Sequence, residues 1–323
     1  MRYSRSKATA VAAVCVLISA AAAIGFTSGR QALAAQTSRR LASLTQVPHP
    51  GISSPDSSSR SVSSPTDPIE IALATVVSAQ QGFPREFRPP EDFYAGGSRL
   101  RDRGGPRDFY FTRAIYSDYG YRRMGSWAID FPKADRQFLW GLRRLTNIDS
   151  YEAENAVRLT DPDLRSFPFL YALEVGRMSL TEPEVEALRS YLLAGGFLMI
   201  DDFWGTYEWQ NFEYEIRRVL PEHPIVEVAM DHPLFSTFYT IDELVQVPSV
   251  RIARYGGVTW ERDGYVPHVR GIFDDEGRLL VVINWNTDLG DAWEWAEDPY
   301  YPLPYSTFAY QLAVNTIIYA LSH

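Results

Sequence analysis

Asp201 and Asp202 stand side by side behind the apolar run Phe197-Leu198-Met199-Ile200. Two carboxylates at a strand end can ligate a metal or divide acid and base work between them. They can equally cap the turn that follows, Phe203-Trp204-Gly205, so both roles stay open. Asp231-His232-Pro233 sets an imidazole beside a carboxylate, the pairing that general acid–base chemistry uses. The same triplet is a good turn starter, with the aspartate bonding backbone amides. The segment 285–305 places Trp285, Trp293, Trp295 and Tyr300 among Asp288, Asp291 and Glu294. Aromatic faces edged with carboxylates suit sugar rings, although a lid on the sheet edge or a partner contact has the same composition. His223 and His268 each adjoin a proline and are expected to be structural or solvent-facing.

Several chemistries are excluded. Cys15 is the only cysteine and lies in the first apolar run, so 107–323 holds no thiolate for catalysis, zinc binding or a disulfide. Lys133 is the only lysine after Lys7. No H-E-x-x-H or similar spacing points to zinc, and no metal site is assigned. Walker loop, dinucleotide fingerprint and G-x-S-x-G elbow are all missing, and no motif names a cofactor. The formal charge of −9 argues against a nucleic-acid partner held on a basic face.

The elements that must position these residues lie in the C-terminal two-thirds. Arg2, Arg5 and Lys7 precede an Ala-rich apolar run and the small residues Ala32-Leu33-Ala34-Ala35, the layout of a signal peptide over 1–35. An uncleaved anchor is the rival reading. Residues 36–106 are rich in Ser, Pro and Gly and are expected to form a disordered tether. From 107 onward strand and helix patterns alternate. Strands are expected over 108–116, 156–159, 167–173, 197–200 and 225–228, and near 250, 270 and 280. Helices are expected over 134–145, from Thr181-Glu182-Pro183-Glu184 to Gly195-Gly196, over 212–220 and over 305–321. This rhythm predicts an α/β domain with a mostly parallel sheet covered on both faces. The turn Asp274-Asp275-Glu276-Gly277 adds an antiparallel hairpin. Ligands of such a sheet bind beyond the carboxyl ends of its strands. Arg113, Tyr116, Glu174, Asp201, Asp202, Asn284 and Asp288 are expected there.

Taken together, Phe109-Tyr110-Phe111-Thr112-Arg113, Asp161-Pro162-Asp163-Leu164, Leu193-Ala194-Gly195-Gly196-Phe197, Asp231-His232-Pro233-Leu234-Phe235 and Asp288-Leu289-Gly290-Asp291-Ala292-Trp293-Glu294 resemble the bacterial DUF4159 domain family. That family is similar to the class I glutamine amidotransferase-like fold. The resemblance therefore implies a flavodoxin-like three-layer sandwich. The segment around Asp231 and Ile241-Asp242-Glu243-Leu244 also resembles trehalose-utilisation (ThuA-like) proteins. Amidotransferases place a cysteine at a sharp strand-to-helix turn. Here that turn reads Glu174-Val175-Gly176-Arg177, which excludes glutamine hydrolysis by a thiolate.

The expected function is an exported domain, periplasmic or extracellular, that binds a ligand or a protein partner. Arg113, Glu174, Asn284, Asp288, Trp293 and Glu294 are its expected binding residues. A carbohydrate-active enzyme using Asp201, Asp202 and His232 is the alternative. Contact with a membrane is expected only through an uncleaved N-terminal segment.

Overall fold

A computed structural model of the chain describes residues 107–120 and 125–323. The expected leader 1–35 and tether 36–106 lie outside the described residues. The central strands form where apolar runs are bounded by turn residues. They are β1 (Thr112–Ile115), β2 (Asn155–Arg158), β3 (Phe169–Leu173), β4 (Phe197–Asp201), β5 (Ile225–Glu227), β6 (His268–Phe273) and β7 (Leu279–Trp285). They make one seven-stranded sheet in the order β2-β1-β3-β4-β7-β6-β5. Strands β2, β1, β3, β4 and β7 run parallel, with Leu173 beside Asp201 and Ile200 beside Ile283. β6 and β5 are antiparallel additions at one edge. Every residue of β3 and β4 is buried, as expected for strands covered on both faces.

Alternation along the strands sends side chains into two cores. Phe169, Tyr171, Met199 and Val282 face α1 (Lys133–Leu145), α5 (Leu289–Glu294) and α6 (Leu303–Ser322). Leu170, Ala172, Ile200 and Ile283 face α2 (Glu182–Leu193) and α3 (Gly205–Val219). α2 begins where expected, with Glu184 reaching back to the Thr181 amide at 2.9 Å, and Gly195 at φ 108° follows its end.

Three expectations change. The residues near 250 form a helix, α4 (Val250–Tyr255), instead of a strand. Val250 and Ala253, three apart, pack on the first core, a helical spacing that a short alternating stretch conceals. The strand expected over 108–116 shrinks to β1, because Phe109 makes only an isolated bridge to Ser150. The helix expected from 212 starts at Gly205, whose amide donates to Asn286 Oδ1 at 2.9 Å while the Thr206 amide donates to Asp263. Those two caps come from distant loops and leave no local signature.

Five parallel strands end on the same rim. From β1 the chain goes outward to β2 and then crosses back to β3 on the other side, the reversal that opens a crevice at the carboxyl ends.

Candidate functional site

Asp201 closes β4 on the same face as Met199 and has no exposed surface. Its Oδ2 accepts from the Tyr171 hydroxyl at 2.8 Å and from the amides of Leu289 and Gly290 at 3.0 Å each. Those bonds tie β4 to the first turn of α5. Oδ1 has no partner of hydrogen-bonding geometry, although the Asp202 amide is near enough to favour the charged form. Burial pushes the carboxyl up to about 7, and the Tyr171 bond is the largest force against that rise.

Three rim loops each place an acidic residue in the left-handed region: Asp130 at φ 58°, Glu174 at 53° and Asp202 at 47°. Such backbone costs on the order of 1 kcal/mol for a residue other than glycine and clusters at functional sites. The Glu174 amide donates to the Asp202 carbonyl at 3.0 Å, locking the β3 and β4 exits together. Asp202 Oδ1 accepts from the Trp204 indole at 3.0 Å. Asp288 caps α5, its Oδ1 accepting from the Asp291 amide at 2.7 Å.

These loops converge. Asp130, Asp202 and Asp288 each bring one carboxylate oxygen within 4.8 Å of the other two, and Asp130, Asp291 and Glu294 form a second such set. Asp130 keeps part of its surface open, yet its Oδ2 is covered and has no hydrogen-bond partner. A Cβ placed on Gly290 would lie 3.0 Å from that oxygen and 3.2 Å from the Tyr171 hydroxyl. Among the described residues no salt bridge reaches Asp130, Asp202 or Asp288. Their carboxyls are held well above the ordinary range by burial first. The charges of Asp291, Glu174 and Asp202 come next for Asp130, Asp202 and Asp288 respectively. Burial and then Asp291 raise Glu294 to about 7, against the pull of Lys133. The side-chain atoms offered are all carboxyl oxygens, a set suited to hard cations, ammonium groups or hydroxyls.

The family model described as "Domain of unknown function (DUF4159)" matches residues 112–321, from the first residue of β1 almost to the end of α6. The chain belongs to the DUF4159 family. No curated protein matched the chain.

Within this DUF4159 domain the expected site residues separate into two groups. Glu174, Asp201, Asp202, Asp288 and Glu294 meet at the rim. Arg113, Asn284 and Trp293 are buried side chains engaged with the fold, and His232 lies away from the rim. Arg113 is wholly buried and forks onto Asp135, with Nη2–Oδ2 at 2.6 Å, and onto the carbonyls of Trp127 and Ile129 at 3.0 and 2.6 Å. It clamps the loop that presents Asp130, and its charge also pulls the Asp130 carboxyl down against the rise from burial. Asn284 is also buried and donates to the Ile200 carbonyl at 3.0 Å, holding β7 to β4. Trp293 is no sugar platform: it is buried against Phe138 and Tyr171, with centroids 4.7 and 5.4 Å away.

His232 packs on Tyr319 and Phe273. Tyr319 in turn touches Phe197, the first residue of β4. The imidazole therefore sits at the amino end of the parallel strands, about one strand length (roughly 13 Å) from Asp201 and Asp202. The three cannot form one catalytic group. Its Nδ1 accepts from the Leu234 amide at 3.2 Å, the turn-starting role.

Asp130 is the site residue that sequence reasoning missed. Its signal was positional: it falls in the loop after the first strand, on the same rim as every other carboxyl exit.

Proposed function

We propose that the domain binds a cationic or hydroxyl-rich ligand in the acidic hollow at its strand ends, on an amidotransferase-like scaffold without the catalytic thiol. The observation that carries this is the convergence of Asp130, Asp202 and Asp288, which no salt bridge reaches among the described residues. Like charges held together and away from water destabilise a fold, and sites that do so are usually sites of function. On the amidotransferase resemblance the turn after β3 would carry the nucleophile; here that turn carries a left-handed Glu174 and no thiol, which supports a binding role over acyl transfer. The basic n-region, apolar run and small residues of 1–35 support export to the periplasm or the cell exterior.

The test separates a ligand site from a structural network. Asn tolerates the left-handed backbone of Asp202 and caps a helix as well as Asp does at 288, so Asp202→Asn and Asp288→Asn remove charge alone. In chelator, each should raise unfolding stability by about 1 kcal/mol, or roughly 2–4 °C. A loss of stability in both variants would mean that the carboxylates hold the fold together and that the hollow is no site.

The carbohydrate-active reading retains one favouring observation. Asp201 and Glu294 are raised to about 7, where a group can exchange protons near neutrality. That enzyme would work with the rim carboxyls and without His232.

A further inference from the structure

We propose that Asp201 is an un-ionised acid in this fold and that its Oδ1 hydrogen is donated to Oδ1 of Asn284, a proton clasp between β4 and β7 under the rim. This goes beyond the ligand reading and stands without it, since Asp201 belongs to neither carboxylate set of the hollow. Two orphaned acceptors carry it. Asp201 Oδ1 and Asn284 Oδ1 are both covered, neither has a hydrogen-bond partner, and neither residue has exposed surface. They stand on neighbouring strands. Met199 pairs with Val282 and Ile200 with Ile283, so the next step of the parallel register sets Asp201 beside Asn284, about 4.8 Å away across the ladder. They also share a face, because Met199 and Val282, two residues earlier on each strand, both point into the first core. Asn284 leans toward β4, its Nδ2 donating to the Ile200 carbonyl at 3.0 Å.

Two acceptors side by side and away from water repel unless a hydrogen lies between them. Asn284 cannot supply it, since turning its amide over would set Oδ1 against the Ile200 carbonyl instead. A carboxylic acid can, because protonation makes one of its oxygens a donor. Oδ2 of Asp201 is occupied by the Tyr171 hydroxyl and the amides of Leu289 and Gly290, so the hydrogen falls on Oδ1. The ionisable surroundings agree. Tyr171 comes from β3, Asp202 from the β4 exit, Asp288 from the cap of α5 and Tyr301 from the segment before α6. None of these is basic. Arg113 lies over the Tyr171 ring, 5.1 Å from its centroid, and is paired with Asp135. Burial accordingly outweighs the bonds on Oδ2 and raises the carboxyl to about 7. Loss of the proton adds a charge that both Asp202 and Asp288 feel, so the charge of the rim depends on a proton stored beneath it.

The experiment follows the Cγ signals of Asp201 and Asn284 by NMR in the isotope-labelled full chain, each assigned through its own backbone. At about pH 5.5 an ordinary aspartate is ionised. Asp201 Cγ should instead show the shift of the acid there and cross to the carboxylate with a midpoint at about 7. Asn284 Cγ should move with the same midpoint. A carboxylate shift for Asp201 at about pH 5.5 overturns the proposal, and so does an Asn284 signal that ignores the titration. Asp201→Asn replaces the acid with a permanent donor of the same shape. On refolding at about pH 5.5 that variant should take up about one proton fewer per chain than the parent. Equal uptake would show that Asp201 holds no proton in the folded state and would overturn the clasp as well.

Discussion

At the residue scale the clearest division is between carboxylates that are satisfied and carboxylates that are not. Asp135 is buried beside Arg113 and receives a forked pair of hydrogen bonds. Burial raises its carboxyl, with the guanidinium as the main opposing force. Removing one member of such a pair leaves an uncompensated charge. Arg113→Ala should therefore cost about 3–5 kcal/mol, measured by denaturant unfolding. The joint replacement Arg113→Met with Asp135→Leu should recover most of that loss. Recovery would confirm Arg113 as a clamp; no recovery would point to the carbonyls of Trp127 and Ile129, which the double variant leaves without donors. Residue type could not separate these cases beforehand. Arg113 lies within β1 and Asp202 directly follows β4, but one side chain turns inward beneath a loop and the other meets its like across the rim.

At the element scale the site depends on how closely helices approach the sheet. α1 lies against α6 at Gly141, where an added Cβ would be 2.2 Å from the Tyr310 ring. Tyr310 also donates to the Gln137 carbonyl at 2.8 Å and packs on Phe138, so the ring has little room to withdraw. Gly141→Ala should destabilise by about 1–3 kcal/mol as overpacking, despite alanine's better helix propensity. A thermal melt that matches the parent would show that α6 can shift. Apolar runs bounded by turn residues made β3, β4 and β7 legible in sequence, since a fully buried strand needs apolar residues on both faces. α4 and the first two turns of α3 were not legible. Their caps and packing partners come from distant segments, Asp263 and Asn286 for α3 and Asp291 for α4.

At the scale of the whole molecule the acidic rim should govern the pH response. Asp201 and Glu294 move from ordinary values of 3.8 and 4.5 to about 7 on folding. Between roughly pH 4 and 7 the folded state thus keeps protons that the unfolded state has released, and stability falls as pH rises. Below that window the sign reverses. Glu222, lowered to about 2 by Arg189, and Asp263, lowered by Thr206, contribute stability that is lost as pH drops through their folded values. In chelator the melting temperature should peak on the acid side of neutrality and decline toward pH 7. A midpoint that rises steadily from pH 5 to 7 would contradict the buried, mutually repelling arrangement. No helix among the described residues is long and apolar enough to cross a membrane.

The sequence by itself determined the α/β class, the mostly parallel sheet with its late hairpin, the lack of a thiol in the domain and the adjacency of Asp201 and Asp202. These depend on local periodicity, composition and neighbours along the chain. Only the tertiary structure decided which acids share one hollow, because Asp130, Asp202 and Asp288 follow β1, β4 and β7, parallel strands far apart in sequence that end on one rim. It also decided that Trp293 belongs to the core and that His232 lies at the opposite end of β4. Strand direction sets the end at which a residue emerges, and packing sets the face it shows. Neither is encoded within a few residues of the side chain concerned.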